Sequence, residues 1–107
     1  MITATIFKEE GLIKGYKITG HADFAEYGSD IVCSAVSALA INCCNSISEL
    51  TADRPDIRSD EKNGGYLMVS LSHPSPECEL LLKSFELGII SVAGDYGKYV
   101  KIVYSDR

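Results

Sequence analysis

Two stretches near the start of the chain alternate apolar and polar residues with the period of two that is typical of strands. The first covers residues 2–8 and the second covers residues 12–19. One side of the second stretch carries Leu12, Lys14, Tyr16 and Ile18. Because the turn signal Glu9-Glu10-Gly11 separates the two stretches, the pattern predicts an antiparallel hairpin. Gly20 closes its second strand, and His21 follows directly.

A long helical pattern begins after the loop at residues 22–29. Its apolar side recurs at steps of three and four residues and consists of Val32, Val36, Leu39, Cys43, Ile47 and Leu50. We expect Asp30 to be the N-cap, which places Cys33 at the third helical position. Small residues between positions 34 and 40 are expected to let the first turns pack closely on a sheet. Pro55 prevents the helix from continuing further.

The second half of the chain has the same order of elements. Residues 56–60 indicate a short edge strand, residues 62–65 a hairpin turn, and residues 66–72 a strand with alternate apolar residues inward. A second helix is expected from the Ser75-Pro76 start to Gly94. Its predicted apolar side comprises Leu80, Leu81, Phe85 (or Leu87) and Ile89.

A last strand at residues 98–104 completes the order ββαββαβ. This order predicts an α+β fold, an α/β sandwich in which two helices cover mainly one face of a mixed sheet. The length of 107 residues fits a single domain over residues 1–107.

The overall composition narrows the range of partners and compartments. The formal charge of −5 argues against direct binding to nucleic acid and favours a basic protein or peptide partner. No uninterrupted apolar run reaches the roughly 20 residues of a membrane span, and the N-terminal residues do not follow the pattern of a secretory signal. We therefore expect a cytoplasmic protein whose four cysteines are reduced thiols.

Cys33 and His21 are the first candidates for catalysis. The start of a helix offers free N–H groups and the positive end of the helix dipole, and both favour a thiolate. The same N–H groups can stabilise an oxyanion, and a nearby histidine completes the minimum for acyl transfer by a thiol. Asp30 either only caps the helix or also orients His21, as the third member of a triad does.

Two other arrangements have to be compared with this pair. His73 and Cys78 stand in the same local order before and within the second helix, but Glu77 and Glu79 flank Cys78 and disfavour its thiolate. We therefore interpret Cys78 as a packing residue. The spacing of cysteines and histidines fits no zinc motif, so neither a metal nor another cofactor is expected.

The segment GHADFAEYGSDIVCSAVSALA, residues 20–40, resembles the signature of the ribosomal-processing cysteine protease family, Prp or YsxB-like. The resemblance implies a homodimeric cytosolic endopeptidase that removes the N-terminal extension of large-subunit ribosomal protein twenty-seven. The family's catalytic histidine falls on His21, its nucleophile on Cys33 and an aspartate of its pattern on Asp30.

Contacts with the substrate are expected from three residues near this pair, namely Phe24, Tyr27 and Ser34. Phe24 and Tyr27 would line an apolar cleft. The alternative to proteolysis is a non-catalytic ribosome-associated module that binds a protein without cutting it.

Overall fold

The structure is a computed structural model that describes residues 1–20, 29–60 and 65–106, without the side chains of residues 29 and 30. Its elements follow the predicted order ββαββαβ. They are β1 (Ile2–Glu9), β2 (Leu12–Thr19), α1 (Ser29–Leu50), β3 (Asp56–Ser59), β4 (Tyr66–Ser70), α2 (Pro76–Asp95) and β5 (Val100–Asp106).

The strands form one mixed five-stranded sheet in the order β3-β4-β2-β1-β5. The β1–β5 pair is parallel, and the other neighbouring pairs are antiparallel. β3 is an edge strand, as predicted. The turn predicted at residues 62–65 lies outside the described residues except for Gly65, but the antiparallel pairing of β3 with β4 agrees with a hairpin.

The hairpin of β1 and β2 contains a β-bulge that the simple alternation did not predict. Phe7 pairs with Gly15, whereas the next residue, Lys8, pairs with Ile13, which leaves Lys14 as the extra residue of β2. Because of this extra residue, Leu12 and Ile13 lie on the opposite sides of the sheet from those that the simple alternation predicts. The prediction that Leu12 shares the side of Tyr16 is therefore wrong: Ile13 is buried, and Leu12 is exposed.

Both helices lie on the face of the sheet that contains Tyr16, which confirms the predicted sandwich. The hydroxyl of Tyr16 donates a hydrogen bond to the carbonyl oxygen of Ala40 in α1, at 2.6 Å. The ring of Tyr16 stacks on Phe85 of α2, with 4.1 Å between ring centroids. One fully buried side chain of β2 thus contacts both helices.

The apolar side of α1 is close to the predicted one, except that Leu39 in its middle is half-buried and Leu50 at its end is exposed. Its buried residues are Val32, Val36, Ala40, Cys43, Cys44 and Ile47. Leu50 is exposed because the helix ends there, beyond the core. Ser34, Ser37 and Ala38 are exposed and Ala35 is half-buried, so Ala40 is the one buried residue among the small residues predicted to pack closely on the sheet.

The second helix begins as predicted and differs along its apolar side. Ser75 is its N-cap and accepts a hydrogen bond from the backbone N–H of Cys78, at 3.2 Å. Its buried residues are Cys78, Leu82, Phe85 and Ile89. Leu80, predicted inside, is 69% exposed, and Leu82 takes the inward position instead. The helix continues through Gly94 and ends at Asp95.

By length and composition, the segment Ile31–Leu50 of α1 is apolar enough to cross a membrane. Core helices of compact folds meet the same criterion. Here Val36, Cys43 and Ile47 of this segment are buried in the hydrophobic core that the helices share with the sheet.

The buried hydroxyl of Tyr16 provides a direct test of this packing. We expect Tyr16→Phe to lower the free energy of unfolding by about 1 kcal/mol, since one intramolecular hydrogen bond is lost and the ring remains. Urea denaturation measures the change. Tyr96→Phe, at a 40% exposed tyrosine, is the matched control and is expected to leave stability unchanged. Equal stability of Tyr16→Phe and the unaltered protein would show that this hydrogen bond contributes nothing.

Candidate active site

A groove of about 430 Å³ lies between the first half of α1 and the sheet. One wall belongs to α1. The other lining residues belong to strands β1 to β4 or directly adjoin them. The residues that line it are Ile2, Ile18, Gly20, Cys33, Val36, Ser37, Ala40, Ile41, Ser59, Asp60, Gly65, Tyr66 and Leu67. The groove is therefore the place where the candidate nucleophile meets the ends of β2, β3 and β4.

The α1 wall of the groove has a regular pattern. Cys33, Ser37 and Ile41 follow one another at steps of four residues, which places them along one side of the helix. Cys33 is partly exposed, and Ser37 and Ile41 are exposed. The thiol of Cys33 thus belongs to the surface of an open groove rather than to the closed core.

The chain leaves β2 at Gly20, and two backbone features fix this exit. The N–H of Gly20 donates a hydrogen bond to the carbonyl oxygen of Gly65, at 3.0 Å. Gly20 has φ +85°, and a Cβ atom there would overlap the carbonyl oxygen of Met1, so only glycine fits. Since Gly20 and Cys33 line the same groove, the residue directly before His21 lies at the candidate site.

The start of α1 differs from the prediction. The helix begins at Ser29, so Asp30 is its second residue and not the N-cap, and Cys33 is its fifth residue and not its third. The first four N–H groups of a helix have no partner within it, and here they precede Cys33 along the chain. Ile31, the third residue of the helix, supplies one of these groups.

The remaining predicted site residues are placed as follows. His21, Phe24 and Tyr27 lie outside the described residues, and for Asp30 the structure describes the backbone alone. Ser34 is exposed on α1 and is not among the residues that line the groove. Of the predicted residues, the described part of the chain therefore brings Cys33 to the groove and does not bring Ser34 there.

Cys78 shows that a position at a helix start is not enough to make a thiol reactive. Cys78 is the third residue of α2, the position expected for Cys33, and its N–H is bound by the Ser75 cap. However, Cys78 is completely buried. Burial is the main cause that raises its thiol pKa to about 12, and the nearby charge of Asp53 adds to the effect. The interpretation of Cys78 as a packing residue is confirmed.

The other two thiols are also parts of the core. Burial raises the pKa of Cys43 to about 11 and raises that of Cys44 as well. The Cys43 thiol donates to the carbonyl oxygen of Leu81, at 3.7 Å. All four cysteines are free, and Cys33 is the one that is not buried.

Among the described side chains, no group of three or more histidine, cysteine, aspartate or glutamate residues is arranged to hold a metal ion. The chemistry that the described groove supports is that of an accessible thiol near the start of a helix.

The groove residues other than the thiol are not predicted by the sequence pattern. Ile41 lies outside the predicted apolar side of α1, and the pattern places Tyr66 only in a strand. The spacing Cys33–Ser37–Ile41 was the available signal, because residues four apart lie on one side of a helix. Nothing in the sequence indicated that β4 would contribute Tyr66 and Leu67 to the opposite wall.

Comparisons with known proteins agree on one family. The sequence model of the family described as Cysteine protease Prp matches residues 1–101. The ribosomal processing cysteine protease Prp of Staphylococcus aureus strain Mu50 is 33% identical over 105 residues, which cover 97% of this chain and 99% of that protein.

Two crystal structures share the fold. A protein from Streptococcus mutans, SMU.848, has a TM-score of 0.89 at 34% identity, covering 100% of this chain and 96% of that chain. The essential ribosomal processing protease Prp of Staphylococcus aureus, in complex with a covalently linked product peptide, has a TM-score of 0.87 at 34% identity. That match covers 98% of this chain and 100% of the other.

The difference in burial predicts selective alkylation of the native protein. We expect iodoacetamide near neutral pH to modify Cys33 and to leave Cys78 unmodified, because the reagent needs an accessible thiolate. Peptide mapping by mass spectrometry after short exposures measures the modified fraction at each site. In urea, all four cysteines should react. If Cys78 reacted in the native protein as fast as Cys33, burial would not be what separates these two thiols.

The raised pKa of Cys78 also predicts how stability depends on pH. The folded state keeps this thiol protonated up to about pH 12, whereas an exposed thiol loses its proton near pH 9. Stability from the buried neutral thiol is therefore fully present below pH 9 and is lost as the pH rises from 9 towards 12. We expect the free energy of unfolding to fall over this range and to fall less steeply in Cys78→Ala. Urea unfolding at several pH values measures both slopes, and identical slopes would contradict the assignment.

Proposed function

This chain belongs to the cysteine protease Prp family, and on that premise we propose that it removes the N-terminal extension of large-subunit ribosomal protein twenty-seven. The family assignment makes it a cysteine protease of ribosomal processing, not a non-catalytic binding module. The observation that carries the proposal is the open groove in which Cys33 and the β2 exit before His21 meet. The covalently linked product peptide of the Staphylococcus aureus relative supports a covalent mechanism.

The proposed reaction begins with the Cys33 thiolate. Its sulfur attacks the carbonyl carbon of the scissile peptide bond, so that a C–S bond forms and the carbonyl oxygen takes the negative charge. N–H groups at the start of α1, including that of Ile31, would donate hydrogen bonds to this oxyanion. The protonated imidazole of His21 gives its proton to the leaving nitrogen as the C–N bond breaks.

The second half of the proposed reaction regenerates the enzyme. The first product leaves with a free amine, and the acyl part stays on Cys33 as a thioester. Water then attacks the thioester carbon while His21 accepts a proton from the water. The C–S bond breaks and regenerates the Cys33 thiolate beside protonated His21, and the second product leaves as a carboxylate after giving its acidic proton to solvent.

The other predicted site residues have supporting roles in the proposal. Asp30 is the second residue of α1, where a carboxylate interacts favourably with the helix dipole. We assign it the further role of orienting the His21 imidazole. Phe24 and Tyr27 are proposed to contact the substrate at the groove, whereas Ser34, which does not line it, is given no such role.

The cellular setting is part of the same proposal. Four free thiols support a reducing compartment, for which we propose the cytoplasm. The net charge of −5 supports a basic ribosomal protein precursor as the partner and not nucleic acid. A homodimer is proposed from the family resemblance, and light scattering after size-exclusion chromatography would measure its mass.

Cleavage of the ribosomal protein precursor tests the proposed roles of Cys33 and His21. We expect Cys33→Ala to abolish cleavage, since the attacking sulfur is gone, and His21→Ala to lower kcat/KM at least about a hundredfold. His73→Ala and Cys78→Ala are the matched controls, because that pair has the same local order in the chain. Gel or mass analysis of the products gives the rates.

Both controls should cut at rates within about twofold of the unaltered enzyme, provided that circular dichroism shows them folded. Full activity of Cys33→Ala would refute the thiol mechanism. Full activity of His21→Ala would leave Cys33 in place and remove the histidine from the proposal.

A further inference from the structure

A second cavity lies beyond the C-terminal end of α1, whereas Cys33 is near the start of that helix. The cavity has a volume of about 360 Å³ and forms where the segment after α1 meets the segment after β4. The residues that line it are Ala52, Asp53, Arg54, Leu71, Ser72 and His73. Leu50, the last residue of α1, is about 26 Å from Cys33 along the helix axis. The cavity is therefore separate from the groove.

Two permanent positive charges meet at this cavity. The guanidinium group of Arg54 belongs to its lining. The ammonium group of Lys14 lies beside the lining, because its Nζ donates a hydrogen bond to the carbonyl oxygen of Ser72, at 3.1 Å. Lys14 is the extra residue of the β2 bulge, and bulges commonly redirect a side chain in this way. The two cations come together in a chain whose formal charge is −5.

The guanidinium group of Arg54 is available to a ligand. Arg54 is exposed, and its side chain makes no ion pair or hydrogen bond with another residue that the structure describes. Arg58, by contrast, has its Nε 3.5 Å from a carboxylate oxygen of Asp56. Because the chain has 15 acidic and only 10 basic residues, a guanidinium group without a carboxylate partner is unexpected. An anion that enters the cavity would meet this group first.

The carboxylate of Asp53 lines the same cavity, but it is already engaged. Its Oδ2 accepts a hydrogen bond from the backbone N–H of Ser75, at 2.8 Å. Hydrogen bonds from the side chain and the backbone of Ser75 lower the pKa of this carboxyl group. Because Ser75 is the N-cap of α2, the charge of Asp53 lies at the positive end of that helix's dipole. Asp53 therefore offsets the charges of Arg54 and Lys14 only in part.

We propose that this cavity binds the phosphate group of a small phosphate monoester. A guanidinium group offers two parallel N–H donors that match phosphate oxygens. The two fixed charges of Arg54 and Lys14 balance a monoester, which carries nearly two negative charges at neutral pH. A phosphodiester of a nucleic-acid backbone carries a single charge.

The rest of the cavity fits a small organic ester. Its volume lies within the range of small-molecule sites. Ala52 and Leu71 supply apolar atoms to the lining, and these would contact the organic part of the ester. The inference is independent of the cleavage reaction, because none of the residues proposed to act on the peptide bond lines this cavity.

The test is an NMR titration of the isotope-labelled chain with monomethyl phosphate near neutral pH, at constant ionic strength. Amide signals of residues 52–54 and 71–73 should shift and saturate, whereas those of Gly20 and Ile41 in the groove should not. Arg54→Gln should raise Kd at least about tenfold, because charge-assisted hydrogen bonds to the phosphate are lost. Lys14→Gln should raise it about threefold, since this charge acts from the edge of the cavity.

Each of these variants has a matched control. Arg58→Gln removes an arginine charge from β3, four residues after Arg54, and does not alter the lining of the cavity. Lys17→Gln removes a lysine that is half-buried in β2, as Lys14 is. Both controls should change Kd by less than about twofold. If they weakened binding as much as Arg54→Gln does, the net charge of the chain and not this cavity would determine binding, and the proposal would be wrong.

A second ligand tests the number of charges that the cavity accepts. Dimethyl phosphate, a singly charged diester, should bind at least about tenfold more weakly than monomethyl phosphate. Equal affinity for the two esters would overturn the assignment to monoesters and favour a phosphodiester partner. Shifts that do not saturate, or that lie outside the cavity, would overturn it as well.

A second variant keeps the test decisive if Arg54→Gln does not fold. Ala52→Glu adds a negative charge to the lining at an exposed position, so it should abolish saturable binding of monomethyl phosphate. An unchanged Kd in Ala52→Glu would contradict the proposed site.

Discussion

The packing of Tyr16 is the constraint on which the arrangement of the two layers depends. Its side chain is completely buried, yet it carries a hydroxyl that must have a hydrogen-bond partner to be buried without a large penalty. The carbonyl oxygen of Ala40 is that partner, and Phe85 stacks on the same ring. A shift of α1 along the sheet would break this hydrogen bond, so β2 and α1 are held in one register.

This register has a direct consequence for the candidate active site. Cys33 lies seven residues before Ala40 in the same helix, so fixing Ala40 on the sheet also fixes the first turns of α1 above the ends of the strands. Gly20 and Gly65 are joined by a backbone hydrogen bond at those strand ends. The groove is thus bounded by backbone that is held in place on both sides, with the thiol on its surface. Such preorganisation is what nucleophilic catalysis requires.

The two helix starts show which factor separates a candidate nucleophile from a core thiol. Cys78 has the closer position to a helix N-terminus, with the Ser75 cap beside it, but its burial keeps the thiol neutral. Cys33 is farther along its helix and faces an open groove. Exposure therefore separates these two thiols, whereas closeness to the helix N-terminus favours the buried one.

Much of the fold could be predicted from local patterns, because strand and helix periods and turn residues are local properties. The bulge at Lys14 could not be predicted in this way. It depends on which residues of β2 pair with Phe7 and Lys8 of β1. The exposure of Leu80 could not be predicted either, because the inward side of α2 is set by its contact with α1 and the sheet. At the site, the sequence indicated Cys33, whereas Tyr66 reaches the groove only through the sheet order.

The proposed mechanism depends on a covalent acyl intermediate between Cys33 and the substrate. To detect it, enzyme and precursor peptide are mixed, the reaction is stopped with acid within milliseconds to seconds, and the adduct is mapped by mass spectrometry. We expect a thioester of the peptide's N-terminal fragment on Cys33, which disappears as the product carboxylate accumulates. Turnover without any adduct on Cys33, or an adduct on another cysteine, would contradict it.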